Sequence, residues 1–204
     1  MIFQFYVGNC YINGNAVLND RYSLIVDFNT NNNGLNAIVF LLNPSSTGKQ
    51  NIFYNVNALE INDVDLTTNA VIDRLHNEIG NNGIPKYQTI GILNLFPYFD
   101  SKPSSINMIY GNAPLNTIQS YVNNMNEIDR ILHAYCSADI YLAWGKDVSV
   151  QQNILNNAKQ DVVNLLTNHG FTSVFYKSAM NATAFSTATM NNIINLGAIH
   201  GKYY

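Results

Sequence analysis

Phe40-Leu41-Leu42-Asn43-Pro44-Ser45-Ser46-Thr47-Gly48-Lys49 is a buried-strand pattern that runs straight into a polar turn. Asn-Pro is itself a good turn former, since Asn starts turns and Pro fixes the next φ. The hydroxyl of Ser46 and the charge of Lys49 add groups that hold phosphate. A nucleotide P-loop would need Gly-x-x-x-x-Gly-Lys-Ser/Thr, but Asn43 stands at the first Gly and Gln50 at the magnesium-binding hydroxyl. Pro44 also removes an amide from any phosphate cradle. A second apolar run ends at Asn94-Leu95-Phe96-Pro97-Tyr98, where the Asn94 amide offers a donor and an acceptor to a flat heterocycle or to loop backbone. A third ends at Trp144-Gly145-Lys146, ahead of a helix start near Ser149, where free amides and Lys146 suit a phosphate. Trp144 reads as core. His76, His133, His169 and His200 have no metal-ligand spacing with one another or with Cys10 and Cys136, so neither a metal nor a cofactor is expected. No Gly-x-Ser-x-Gly elbow is present.

Those strand ends need a scaffold. Apolar runs at 37–42, 89–95, 139–144 and 172–176 read as buried parallel strands, and between them lie helical patterns. Val71, Leu75 and Ile79 mark the first helix, over 66–79, and Ile118 to Cys136 the second. Val150, Ile154, Ala158, Val162 and Leu165 mark the third, which Gly170 stops, and a last helix is expected over 190–196. Before them, alternation around Ile2 to Val7 and Tyr22 to Phe28, with Asn13-Gly14 between, predicts an antiparallel ribbon over 1–34 appended to the domain. The expectation is a single three-layer α/β/α domain over 1–204 with ligands at the carboxyl ends of its strands.

Composition narrows the function classes. Charged residues make up 11% of the 204, against roughly 25% in an average soluble domain, and Asn fills roughly one position in six. A net charge of −3 with ten Lys plus Arg argues against a broad basic nucleic-acid surface, though not against a small local phosphate site. Two cysteines are too few for a disulfide framework, and no leader pattern opens the chain, so a cytoplasmic location is expected. No apolar stretch approaches the roughly 20 residues that cross a bilayer, which argues against a membrane partner.

Taken in order, the three strand ends resemble the uracil-DNA glycosylase superfamily, and more closely an uncharacterised bacterial and phage family of domains of unknown function with an Asn-Pro-Ser motif. The resemblance covers roughly 35–204. It implies a central four-stranded parallel sheet in the order 2-1-3-4. Asn43-Pro44 matches the Asp-Pro or Asn-Pro of the first glycosylase motif, and implies that Asn43 is the catalytic, water-positioning residue. Tyr54 resembles the aromatic that stacks on the flipped base, and Asn94 the amide that reads its edge, with Phe96 beside it. Leu142-Ala143-Trp144-Gly145 is similar to the third-strand Leu-Trp-Gly, and Phe185-Ser186 to the closing segment. Where many relatives carry His-Pro-Ser, this chain has Ser178-Ala179-Met180-Asn181-Ala182; some branches have Met there, which leaves Met180 and Asn181 as base contacts.

The resemblance thus implies a DNA partner, touched locally through a flipped pyrimidine, and hydrolysis of the N-glycosidic bond. Ser45 stands where uracil-specific relatives have a bulky Tyr and relatives accepting C5-substituted bases have Gly. A C5-modified pyrimidine is therefore expected, with a role in repair or in defence against phage with modified DNA. The alternative is a noncatalytic protein that binds a nucleotide or modified base in the same pocket, in phage-host conflict. A neutral Asn43 and the absent His both favour that alternative.

Overall fold

In the computed structural model of the chain, the described residues are 2–12, 15–28, 35–44, 66–77, 83, 85–98, 104–144, 150–171, 174–176 and 194–195. Seven strands among them form one sheet: β1 (Ile2–Ile12), β2 (Asn15–Asp27), β3 (Leu35–Leu41), β4 (Tyr87–Asn94), β5 (Asp139–Leu142), β6 (Val174–Tyr176) and β7 (Ile194–Asn195). Their order is β1-β2-β4-β3-β5-β6-β7. The four strands read from the apolar runs stand side by side as β4-β3-β5-β6, and each pairing among them is parallel. The β1–β2, β2–β4 and β6–β7 pairings are antiparallel, so the sheet as a whole is mixed and wider than the four-stranded parallel sheet expected.

Two corrections follow from the antiparallel edges. The N-terminal ribbon is not an appendage, because Ser23 to Asp27 of β2 pair with Thr89 to Leu93 of β4 and continue the sheet. Leu24 and Val26 are fully buried there, which gives the ribbon a share of the core. At the other edge, the helix expected over 190–196 gives way at 194–195 to β7, which pairs with Phe175 and Tyr176. β-branched Ile194 beside an open strand edge gains ladder hydrogen bonds that a short, Asn-rich helix would not match.

β3 lies between two parallel neighbours and is buried on both faces, which explains its nearly unbroken apolar run Ala37 to Leu41. Alternation then divides the core. Ala37, Val39 and Leu41 point to the face covered by helix α1 (Leu66–His76), where Val71, Ile72 and Leu75 meet them. Ile38, Phe40 and Leu42 point to the opposite face, toward α2 (Ser105–Tyr110), α3 (Gln119–Ala134) and α4 (Gln152–Asn168). Helix α4 stops where the sequence places its stop: Gly170 has φ 71°, and the Phe171 amide donates back to the Leu166 carbonyl at 3.1 Å. Side chains lock α3 in place. Ser23 Oγ donates to Glu127 Oε1 at 2.7 Å, Arg130 holds the same carboxylate through two nitrogens, and Tyr121 Oη donates to Asp161 of α4 at 2.9 Å.

The amino ends of β4 and β5 are closed by a polar cluster. Tyr87 Oη donates to Asp139 Oδ2 at 2.6 Å and lies 2.6 Å from Tyr141 Oη, while Lys86 Nζ reaches the same carboxylate at 2.9 Å. Burial, then the Tyr141 and Asp139 neighbours, push the Tyr87 phenol far above its ordinary range, so it stays a donor. Tyr87→Phe should cost about 1–3 kcal/mol, the usual result of stripping a partner from buried polar groups. Urea denaturation checks this; an unchanged midpoint would show that the cluster adds nothing to stability.

Candidate functional site

The first two carboxyl strand ends are joined by backbone. Leu41 pairs with Asn94, the Leu95 amide donates to the Leu41 carbonyl at 2.9 Å, and the Phe96 amide donates to the Leu42 carbonyl at 3.0 Å. The ladder therefore runs past the regular end of β4 and draws the Asn94-Leu95-Phe96 segment alongside Leu41-Leu42-Asn43. On the other side of β3, the Ala143 amide donates to the Phe40 carbonyl at 2.9 Å. These bonds gather three strand ends at the edge where a parallel sheet presents ligand sites.

Asn94 is fully buried, and neither its Nδ2 nor its Oδ1 has a hydrogen-bond partner among the described residues. Its position in the alternation, two residues after Ile92, puts it on the α1 face beside Leu41. Leaving a donor and an acceptor buried and unsatisfied costs about 1–3 kcal/mol each. Asn43 is half-buried, and its Nδ2 donates to the Pro44 carbonyl at 3.3 Å. The structure thus brings Asn43 and Asn94 to adjoining strand ends. Phe96 is fully buried and packs against Tyr110 and Tyr121, at ring-centroid distances of 5.1 and 6.1 Å, in the core on the α3 face. Trp144 is core as expected, edge-on to Phe40 and with Lys159 Nζ 5.9 Å from its ring centre. Ser45, Ser46, Lys49, Tyr54, Lys146, Ser149, Met180 and Asn181 lie outside the described residues.

Two side chains that the sequence does not single out border the same segment. Asn124 of α3 is fully buried; its Nδ2 donates to the Asn94 carbonyl at 2.9 Å and the Leu95 carbonyl at 3.3 Å, and its Oδ1 has no partner among the described residues. One Asn among so many carries no signal of its own. Asp20 had a signal, a carboxylate inside an alternating ribbon in a chain poor in charge. It bridges Tyr98 through backbone while the Arg21 amide donates to the Pro97 carbonyl at 2.8 Å. Asp20 is fully buried; Oδ2 accepts a 3.4 Å bond from Tyr22 Oη, and Oδ1 has no partner among the described residues. A separate open depression of about 440 Å³ between 110–115 and the start of α4 is lined by Asn112, Asn153 and Asn157, with no strand-end residue in it.

The parallel strands β4-β3-β5-β6, with helices packed on both faces, define an α/β class of domain. Residues 21–184 match the family described as "Protein of unknown function (DUF1643)", and the chain belongs to that family. The match starts inside β2, in keeping with the structural place of the ribbon's inner half. No curated protein and no solved structure matches the chain. No helix among the described residues is long and apolar enough to cross a membrane.

Burial pushes the Asp20 carboxyl up to about 7 from an ordinary 3.8, against the smaller opposing pull of the Tyr22 hydroxyl. Between those values the folded chain holds the proton that the unfolded chain releases, so stability is greatest below the lower value and declines as pH rises toward the upper. Asp20→Asn keeps an acceptor toward Tyr22 and removes the titration. Denaturant unfolding at pH 5 and pH 8 should show a decline for the parent exceeding that of Asp20→Asn by up to about 3 kcal/mol. Parallel declines would show that Asp20 is solvated or paired in the folded chain.

Proposed function

We propose that the chain is a DNA base glycosylase of the uracil-DNA glycosylase type, releasing a flipped pyrimidine that carries a C5 substituent. The observation that carries this reading is the Asn94 amide, sealed from solvent with donor and acceptor both unsatisfied among the described residues, beside Asn43 at the adjoining strand end. A buried amide in that state matches the edge of a pyrimidine, which presents one donor between two acceptors. Binding such an edge recovers the hydrogen bonds that Asn94 lacks.

In the proposed reaction, Asn43 orients a water through its side-chain oxygen. The bond from C1′ to the base nitrogen breaks with its electron pair leaving on the base, so the sugar takes on oxocarbenium character. The water oxygen then bonds to C1′ and loses its proton to solvent. Hydrogen bonds from Asn94 to the departing base stabilise the charge it gains. A neutral amide orients water without accepting a proton, so turnover is modest. Extruding the base costs a few kcal/mol, which contacts in the pocket offset in part. A second reading rests on that same neutral Asn43: a domain that holds a nucleotide or modified base without cleaving it.

The test incubates purified protein with DNA containing uracil, thymine or 5-hydroxymethyluracil and scores alkali-labile abasic sites. Release of the C5-substituted bases is expected, with uracil a poorer substrate. Asn43→Ala should slow release on the order of 100-fold with little change in binding, the usual loss for one oriented transition-state contact. Asn94→Ala should relax discrimination among bases, and Ser45→Tyr should shift preference toward uracil. Base-dependent DNA binding without abasic sites would favour the second reading, and no base dependence in either assay would remove both.

A further inference from the structure

Beyond Leu93, which pairs with Ser23, the backbone of β4 has left its ladder with β2, and the carbonyls of Asn94 and Leu95 both turn toward α3. Buried carbonyls at such a point need donors. One side chain supplies both: Asn124, whose NH2 group has two hydrogens and reaches the carbonyls at 2.9 and 3.3 Å. We propose that Asn124 is a positioning residue, which fixes the end of β4 from the α3 side so that the Asn94 side chain is presented to its ligand from the α1 side. This rests on the reading of Asn94 as the amide that meets a base.

The platform behind Asn124 is suited to that task. One turn before it on α3, Tyr121 is bonded to Asp161 of α4; one turn after it, Glu127 is bonded to Ser23 of β2 and to Arg130. Asn124 therefore sits between two anchors on a helix that cannot roll without breaking one of them. Its Oδ1 has no partner among the described residues, so the amide is oriented by its donors. A side chain present only to fill the core would be apolar at this position, as Ile128 and Ile131 are. A small change in the angle of the strand end would swing the Asn94 amide by a comparable angle, and hydrogen bonds weaken steeply with misalignment.

Asn124→Asp keeps shape and removes both donors, facing a carboxylate oxygen toward two carbonyls. Asn124→Leu removes the donors without adding charge, and Asn124→Gln keeps them one methylene further out. In the ligand-free protein, hydrogen exchange at the Asn94 side-chain amide, read by NMR, should accelerate about tenfold or more in the Asp and Leu variants and less in Gln. Affinity for free thymine and 5-hydroxymethyluracil should fall about tenfold in parallel, measured well below the melting temperature. Lowered melting temperatures with Asn94 exchange and base affinity both within about twofold of the parent would make Asn124 merely structural and overturn the proposal. A parent that binds neither base would overturn the base-reading role instead, while the exchange comparison in the ligand-free chain still decides whether Asn124 holds Asn94. If one donor-free variant fails to fold, the other supplies the deciding measurement.

Discussion

The backbone of β3 is the constraint on which the rest of the molecule depends. It lends one edge to β4 and the other to β5, and both loans extend past the regular strands, through the carbonyls of Phe40, Leu41 and Leu42. A side chain at the end of a lone strand has the freedom of a loop. Here Asn43 and Asn94 follow segments whose amides and carbonyls are already committed to one another. The burial of β3 on both faces makes those commitments hard to break, since slipping its register by one residue would exchange the apolar sets facing α1 and α3.

Both ends of this sheet bury polar groups, with the bonded network concentrated at one of them. At the amino ends, Tyr87, Asp139, Tyr141 and Lys86 bond to one another, as a buried network must if it is to stabilise. At the carboxyl ends, Asn94 has two atoms unsatisfied among the described residues, and Asn124 and Asp20 one each. A chain with so few charges places its polarity in amides, which can be buried at far lower cost than ions. The amino end is not fully closed either, since Asn36 Oδ1 of β3 has no partner among the described residues, so open valences alone do not mark a site.

Much of the interior was legible because burial on both faces leaves a plain mark. The apolar runs ending at Leu42, Leu95 and Trp144, the periodic pattern of α4 and its stop at Gly170 all follow from local rules. The edges were not legible, for a physical reason. Whether Tyr22 to Phe28 is an independent ribbon or a fifth neighbour for the parallel strands depends on which strand β4 accepts on its open side, and that information is not local. The same holds at 194–195, where an available edge decided the conformation against helical spacing. In the site, Asn94 was readable from its place after Ile92 and Leu93, whereas Asn124 was not, because its role is to bond backbone that only tertiary structure brings to it.

The central position of β3 also fixes when the fold can form. Its first partner, β4, follows after roughly fifty residues and its second, β5, after roughly a hundred, so nearly every contact that secures it is nonlocal. On the ribosome, Ala37 to Leu41 emerges long before either neighbour and waits as an exposed apolar segment with both edges open. Folding should accordingly be slow for a chain of this size, and β3 is the segment through which nascent copies would aggregate if chaperone capacity were limiting.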